Sequence, residues 1–255
     1  MRGARQHRSI NNRHFNDHSM NPTHHFLITC EHGGNRILPR YRPLFAGHEA
    51  LLQSHRGYDA GALTLARELA DALAAPLFVS ITSRLLIDLN RSVGQPRLYS
   101  EITRQAAAPV RRAILEQYYL PYRNKVETAI TEMLAKGGRV IHISSHSFTP
   151  ELNGETRNAD IGLLYDPARP GETALCSAWQ SSLKTLATDL KVRRNYPYSG
   201  KSDGFTAYLR RQFPAEFYSG IELEINQKHV LKGGRNWRAL REVVIAALHK
   251  ALAEK

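Results

Sequence analysis

Arg139-Val140-Ile141-His142-Ile143-Ser144-Ser145-His146-Ser147-Phe148 is the stretch whose reading decides the fold. Its β-branched residues make Arg139–Ser145 the clearest strand of the chain, and the period of two puts His142, Ser144 and His146 on one face. Two residues of strand rise about 6.6 Å, so the two histidines lie roughly 13 Å apart, too far to share a metal ion. Only one belongs to a site. His146 is nearer the carboxyl end, where open α/β sheets carry their chemistry, and His142 reads as a satisfied core histidine.

Outward from this strand the pattern repeats. Phe26–Cys30 reads as a short buried strand running into Glu31-His32-Gly33-Gly34-Asn35, where the glycines would free the backbone to approach a ligand. Leu77–Ile81, Leu85–Leu89, Ile161–Tyr165 and Ile221–Ile225 are further strand candidates. Helical spacing marks Ala60–Ala74, Thr173–Leu190 and Asn236–Ala253, and a long helix from Pro109 to Lys136 is interrupted by Pro121 and closed by Gly137-Gly138. Strands alternating with helices predict an α/β fold: a mixed, mostly parallel sheet with helices on both faces.

The 255 residues, 42% of them hydrophobic, can bury a substantial core, and no Pro/Gly/Ser-rich linker divides them. A single domain is expected over residues 25–255, preceded by a disordered basic tail at 1–24, within which Met20 is a plausible true start. The apolar runs fall far short of the roughly 20 residues of a membrane span, so no membrane partner is expected. Two cysteines, Cys30 and Cys176, have no metal-binding spacing, and a reducing cytoplasm fits them best. The net charge of +12 invites a nucleic-acid reading, but Arg2, Arg5, Arg8 and Arg13 crowd part of it into the tail. With neither a zinc-finger spacing nor an RNA-binding aromatic signature elsewhere, we set nucleic acid aside as a partner. Oligomeric state cannot be read from the sequence.

Two strand-end histidines, His32 and His146, suit zinc, which takes imidazole nitrogens and leaves a position open in catalytic sites. Asp59 is the candidate third ligand, although an Asp just before a helix is also the standard N-cap; Glu31 and Asn35 are the fallback ligands. Asp88, Asn90 and Arg91 form a compact polar group with Arg84 upstream, suited either to holding a carboxylate or to a surface ion pair. Glu222 and Glu224 alternate with Ile221, Leu223 and Ile225 and share one strand face. Glu224, nearer the strand end, is the candidate general base, with Glu222 second.

Six segments, taken in order, resemble the N-formylglutamate amidohydrolase family: residues 30–35, 56–61, Ile87-Asp88-Leu89-Asn90-Arg91, Ser145-His146-Ser147-Phe148, residues 195–200 and Glu222-Leu223-Glu224-Ile225-Asn226. That family looks like a branch of the zinc carboxypeptidase-like hydrolases, a group that includes the aminoacylase-like aspartoacylase. The wider group carries His-x-x-Glu as its first ligands; here Asn35 stands where the Glu would be, which moves that role to Asp59. The resemblance implies one zinc ion or another divalent ion held by His32, Asp59 and His146. It implies Glu224 as base, and Arg91 with Asn90 and either Arg84 or Arg157 on the substrate carboxylates. The expected reaction is hydrolysis of N-formyl-L-glutamate to formate and glutamate, a step of histidine degradation. Tyr198, in the loop 195–204, is expected to close over the substrate. Two alternatives stay open: a zinc hydrolase of a peptide or cell-wall fragment, and a binding module that has kept the scaffold.

Overall fold

The strand that opens the sequence reading, β3 (Arg139–Phe148), continues past Ser145 and carries His146 within it rather than after it. This computed structural model describes residues 23–253. The other strands are β1 (His24–Cys30), β2 (Leu77–Val79), β4 (Glu151–Leu152), β5 (Glu155–Thr156), β6 (Ile161–Leu164), β7 (Val192–Arg194) and β8 (Tyr218–Asn226). Six of them form one sheet in the order β2-β1-β3-β8-β6-β7, and β4 and β5 pair as a small separate hairpin. β1 is parallel to β2 and β3, and β3 is parallel to β8. β6 runs antiparallel to β8 and parallel to β7, so the sheet is mixed and mostly parallel, as the pattern predicts.

The helices are α1 (Glu49–Gln53), α2 (Ala62–Ala72), α3 (Ala108–Ile114), α4 (Leu120–Ala135), α5 (Pro170–Leu186), α6 (Phe205–Gln212), α7 (Gln227–Lys232) and α8 (Gly234–Ala253). They cover both faces of the sheet. On one, Ile28, Ile141, Ile143, Ile221 and Leu223 pack under α2, α5 and α8 through Leu65, Leu69, Trp179, Val244 and Leu248. Trp179 is fully buried, its indole N–H donating to the Val244 carbonyl at 3.1 Å. Removing a ring of that size from water contributes on the order of 5 kcal/mol. On the other face Leu27, Val140 and Tyr218 meet Val126 and Ile130 of α4 and Phe205 and Leu209 of α6. Along this second face the side chains turn polar toward the carboxyl ends of β1, β3 and β8.

Three sequence expectations need correction. Leu85–Leu89 is not a strand: Leu86 N–H bonds back to Ser83 in a turn and Asp88 N–H to Leu98. Its apolar side chains instead fill a satellite core with Ile37, Tyr41, Phe45, Leu98, Ile102 and Ile114, a packing that a short apolar run does not distinguish from a strand. The long helix is not interrupted at Pro121: the chain stays helical from Ala108 to Ala135, and its turn widens to a π-helical segment at Leu115–Tyr119 directly before Pro121, which falls in the first turn of α4. Gly33 and Gly34 do not clear space for a ligand. A Cβ on them would stand 3.0 Å from the Ser80 carbonyl and 2.7 Å from the Ile81 carbonyl, so they let the turn pack against the exit of β2.

β1 begins at His24, inside the segment expected as tail; residues 1–22, with Met20, lie outside the described residues. Among the described residues no helix is long and apolar enough to cross a membrane.

Candidate active site

His32 emerges just past the end of β1, His146 sits near the end of β3, and Asp59 lies in the turn that leads into α2. The three are buried, and one donor atom from each lies within 4.8 Å of the others. Asp59 does not cap α2: Gly61 holds the N-cap position, and Asp59 instead directs Oδ2 at His146 Nδ1 (2.9 Å) and His32 Nδ1 (3.3 Å). The two imidazoles meet edge to face with ring centroids 5.0 Å apart. His142, expected in the core, is fully buried there between the Thr29 hydroxyl (2.8 Å) and the Tyr218 hydroxyl (2.7 Å).

The far nitrogens decide what the near ones can do. His32 Nε2 faces Asp88 Oδ1 at 2.7 Å. His146 Nε2 faces both the Ser144 hydroxyl at 2.8 Å and Glu31 Oε2 at 3.2 Å, and the hydroxyl donates in turn to the same Glu31 oxygen at 2.7 Å. With N–H on each Nε2 donated to these acceptors, both Nδ1 lone pairs converge with Asp59 Oδ2. Two imidazoles and a carboxylate, each imidazole backed by an acidic group, fit the donor set that a divalent cation takes. A proton competes for the same place: burial opposes it, yet Asp59 and Glu31 hold the His146 pKa well above its usual value. Despite burial, the histidines and Arg84 keep Asp59 and Asp88 ionised, with pKa values below the ordinary carboxylate range.

Glu224 stands beside His146 across the β3–β8 pairing, and Glu222 beside Ser144. β8 is a central strand, so these glutamates are not on a solvent-facing edge. The buried Oε2 of Glu224 has no hydrogen-bond partner among the described residues, and burial raises its pKa to about 8. Glu222 is half-buried and accepts the Thr206 hydroxyl at 2.7 Å. Of the two, Glu224 is the uncommitted carboxyl next to the histidines.

These side chains wall a cavity of about 580 Å³ together with Arg84, Asn90, Arg91, Arg97 and Tyr198. Arg84 donates to Asp88 at 2.7 Å and to Asp59 at 3.3 Å, so its charge is already engaged. Among the described residues Arg91 donates only to carbonyls, those of Asp203 (2.5 Å) and Asn90 (3.1 Å), and forms no ion pair. Asn90 Oδ1 accepts the Phe205 N–H at 2.5 Å. Arg157 reaches the cavity indirectly, donating to the Tyr198 hydroxyl at 2.9 Å. Asn35 is outside the donor set, bonded to the Leu52 carbonyl and the Gln53 side chain. Sequence reasoning missed Ser144 as the link to Glu31, although its place two residues before His146 on the same strand face is a usable signal. It also missed Arg123 of α4, whose guanidinium holds the carbonyls of Leu89 and Arg91, both at 3.2 Å, beneath the polar loop.

The buried His-Asp-His group and Glu224 lie at the carboxyl ends of the sheet's parallel strands, where open α/β folds carry their chemistry, and the family match makes the protein a hydrolase acting on amide bonds. The chain belongs to the N-formylglutamate amidohydrolase family, whose model matches residues 24–231. It is similar to a gene product of Agrobacterium tumefaciens, at 28% identity over 91% of this chain and 92% of that one, with a TM-score of 0.78. A likeness of fold extends to the N-formylglutamate amidohydrolase of Ralstonia eutropha, at 19% identity over 89% of this chain and 93% of that one, with a TM-score of 0.61. No curated protein matches the chain in sequence.

Proposed function

We propose that this protein hydrolyses the amide bond of an N-acyl acidic amino acid, in the simplest case N-formyl-L-glutamate and water to formate and L-glutamate. The observation that carries this reading is the convergence of His32 Nδ1, Asp59 Oδ2 and His146 Nδ1 beside the unpartnered Glu224. These three side chains would hold one zinc ion, or another divalent ion in its place. When bound, such an ion supplies Lewis acidity to the acyl carbonyl and to water.

The chain's own residues do the rest. Glu224 takes a proton from the attacking water and delivers it to the departing amine nitrogen; a pKa brought toward neutrality by burial lets one carboxyl do both. Arg91, with Asn90 beside it, holds a substrate carboxylate by a charge-assisted pair and so aligns the scissile bond, a positioning effect that can lower a barrier by several kcal/mol. Arg84 fixes Asp59 and Asp88, and Arg157 steadies Tyr198, which closes the open side of the cavity. The two free cysteines and the absence of a membrane-crossing helix among the described residues support a cytoplasmic location.

The test is metal content by elemental analysis on wild type and His146→Ala, with formate release from N-formylglutamate followed on the same samples. About one zinc per wild-type chain, lost in the variant together with activity, is expected. Zinc without formate release overturns the substrate. A wild type that takes up no metal when zinc is supplied overturns the catalytic reading.

A further inference from the structure

Next to the catalytic cavity lies a second one of about 440 Å³, lined by Arg56, Arg84, Arg97 and Arg104 together with Asp88 and Glu101. Arg84, Asp88 and Arg97 line both cavities, so the two adjoin across that wall. Both acids of the annex are already paired. Asp88 takes Arg84 and His32 at 2.7 Å each, and Glu101 takes Arg56 at 2.7 Å. Two cations are left over. Among the described residues Arg104 donates only to carbonyls, of Pro96 and Tyr99. Arg97 is exposed at the shared wall and has no hydrogen-bond or ion-pair partner among the described residues.

Size points the same way. A cleft of about 580 Å³ already falls in the range that takes drug-sized ligands, and a single formylated amino acid fills little of it. Within the amidohydrolase reading, on which this inference rests, Arg91 with Asn90 takes one carboxylate of an acidic amino acid, and Arg157, at the Tyr198 hydroxyl, is the cation at hand for the other. The annex with Arg97 and Arg104 remains without a task.

We infer that the annex is a carboxylate subsite, and that the preferred substrate is an extended N-acyl acidic amino acid bearing one more carboxylate beyond those of glutamate. That carboxylate engages Arg97 at the wall and Arg104 behind it. It can be carried on the acyl side or on the amine side of the scissile bond, and two probes separate these sources. N-glutaryl-L-glutamate carries it on the acyl group, and N-formyl-L-glutamyl-L-glutamate on the amine side. Each is compared with a counterpart in which that one carboxylate is an amide.

With the metal-loaded enzyme, one of the two probes is expected to exceed its amide counterpart in kcat/KM by about tenfold or more, through KM, with the advantage shrinking in high salt. Arg97→Ala should erase that ratio, and Arg97→Lys, which keeps the charge but not the planar fork, should restore part of it. Equal rates for both probes and their counterparts, or a ratio unchanged in Arg97→Ala, overturns the inference. If no N-acyl substrate is hydrolysed at all, the reaction reading fails, and calorimetric titration of the same probes still decides the subsite. Arg97-dependent binding of a probe over its amide counterpart upholds it, and no such difference overturns it.

Discussion

His142 and His146 lie on one strand, face the same way and are both buried, yet the chain treats them oppositely. His142 is bounded by neutral hydroxyls of Thr29 and Tyr218, so burial dominates and its pKa falls to about 4. His146 is bounded by Asp59 and by Glu31, the latter both directly and through Ser144, and these acids outweigh burial and favour a positive charge on it. The residue type is the same; what differs is the charge of whatever stands opposite. A strand-end imidazole becomes a binding group when acidic side chains from other segments surround it, and a packing element when they do not.

The comparison breaks most decisively at His146. His146→Ala is expected to release the metal and reduce kcat/KM by about a thousandfold or more, whereas His142→Gln should keep the metal; elemental analysis and kinetics on both variants check the pair. Metal loss in both would erase the distinction. Next in size is the acid beside His146: Glu224→Gln should lower kcat by about 10²–10⁴-fold with metal content unchanged, and Glu222→Gln, whose carboxyl is already engaged by Thr206, should lower it less.

A stability measurement sharpens the other half. The folded-state pKa of His142, about 4, lies below the ordinary 6.5, so the unfolded chain takes up this proton first as pH falls. The neutral histidine's contribution is therefore complete above pH 6.5 and is lost on the way down to about 4, a change on the order of 3 kcal/mol. Urea unfolding from pH 7 to 4 should show a steeper decline for wild type than for His142→Gln; parallel curves would remove the assignment. The smallest effect is expected behind the histidines. Asp88→Asn and Glu31→Gln weaken the acceptors of the two Nε2 protons, and metal affinity, read by chelator competition, should fall about 10–100-fold.

Much of this arrangement was legible in the sequence, because strand ends can be located by apolar runs and the polar residues after them inherit a common location. His32, His146 and Glu224 come together for that reason. Asp59 was legible only as a choice, since capping a helix and facing two histidines demand the same residue type, and only the backbone at Gly61 separates them. The parts that were not legible depend on contacts between distant segments. Nothing near position 88 announces that its carboxylate meets His32, and nothing in α4 marks Arg123 as a buried guanidinium. The sequence shows an ordinary helical arginine, yet its side chain lies 4.2 Å from the ring centres of both Phe205 and Tyr208. The run Leu85–Leu89 misled because apolar residues in a well-packed loop need satisfy no period at all.

That misread loop also divides the protein's labour. Glu224 and His146 stand on strands rooted in the main core, whereas Asp88, Asn90, Arg91 and Arg97 rest on the satellite core built from Leu85, Leu86, Ile87, Leu89 and Leu98. Within the proposed reaction, bond cleavage and molecular recognition then rest largely on different cores, joined where Asp88 of the satellite holds His32. Remodelling the satellite, in a laboratory or in a lineage, is expected to change what the cleft holds, provided Asp88 stays to keep His32 in place.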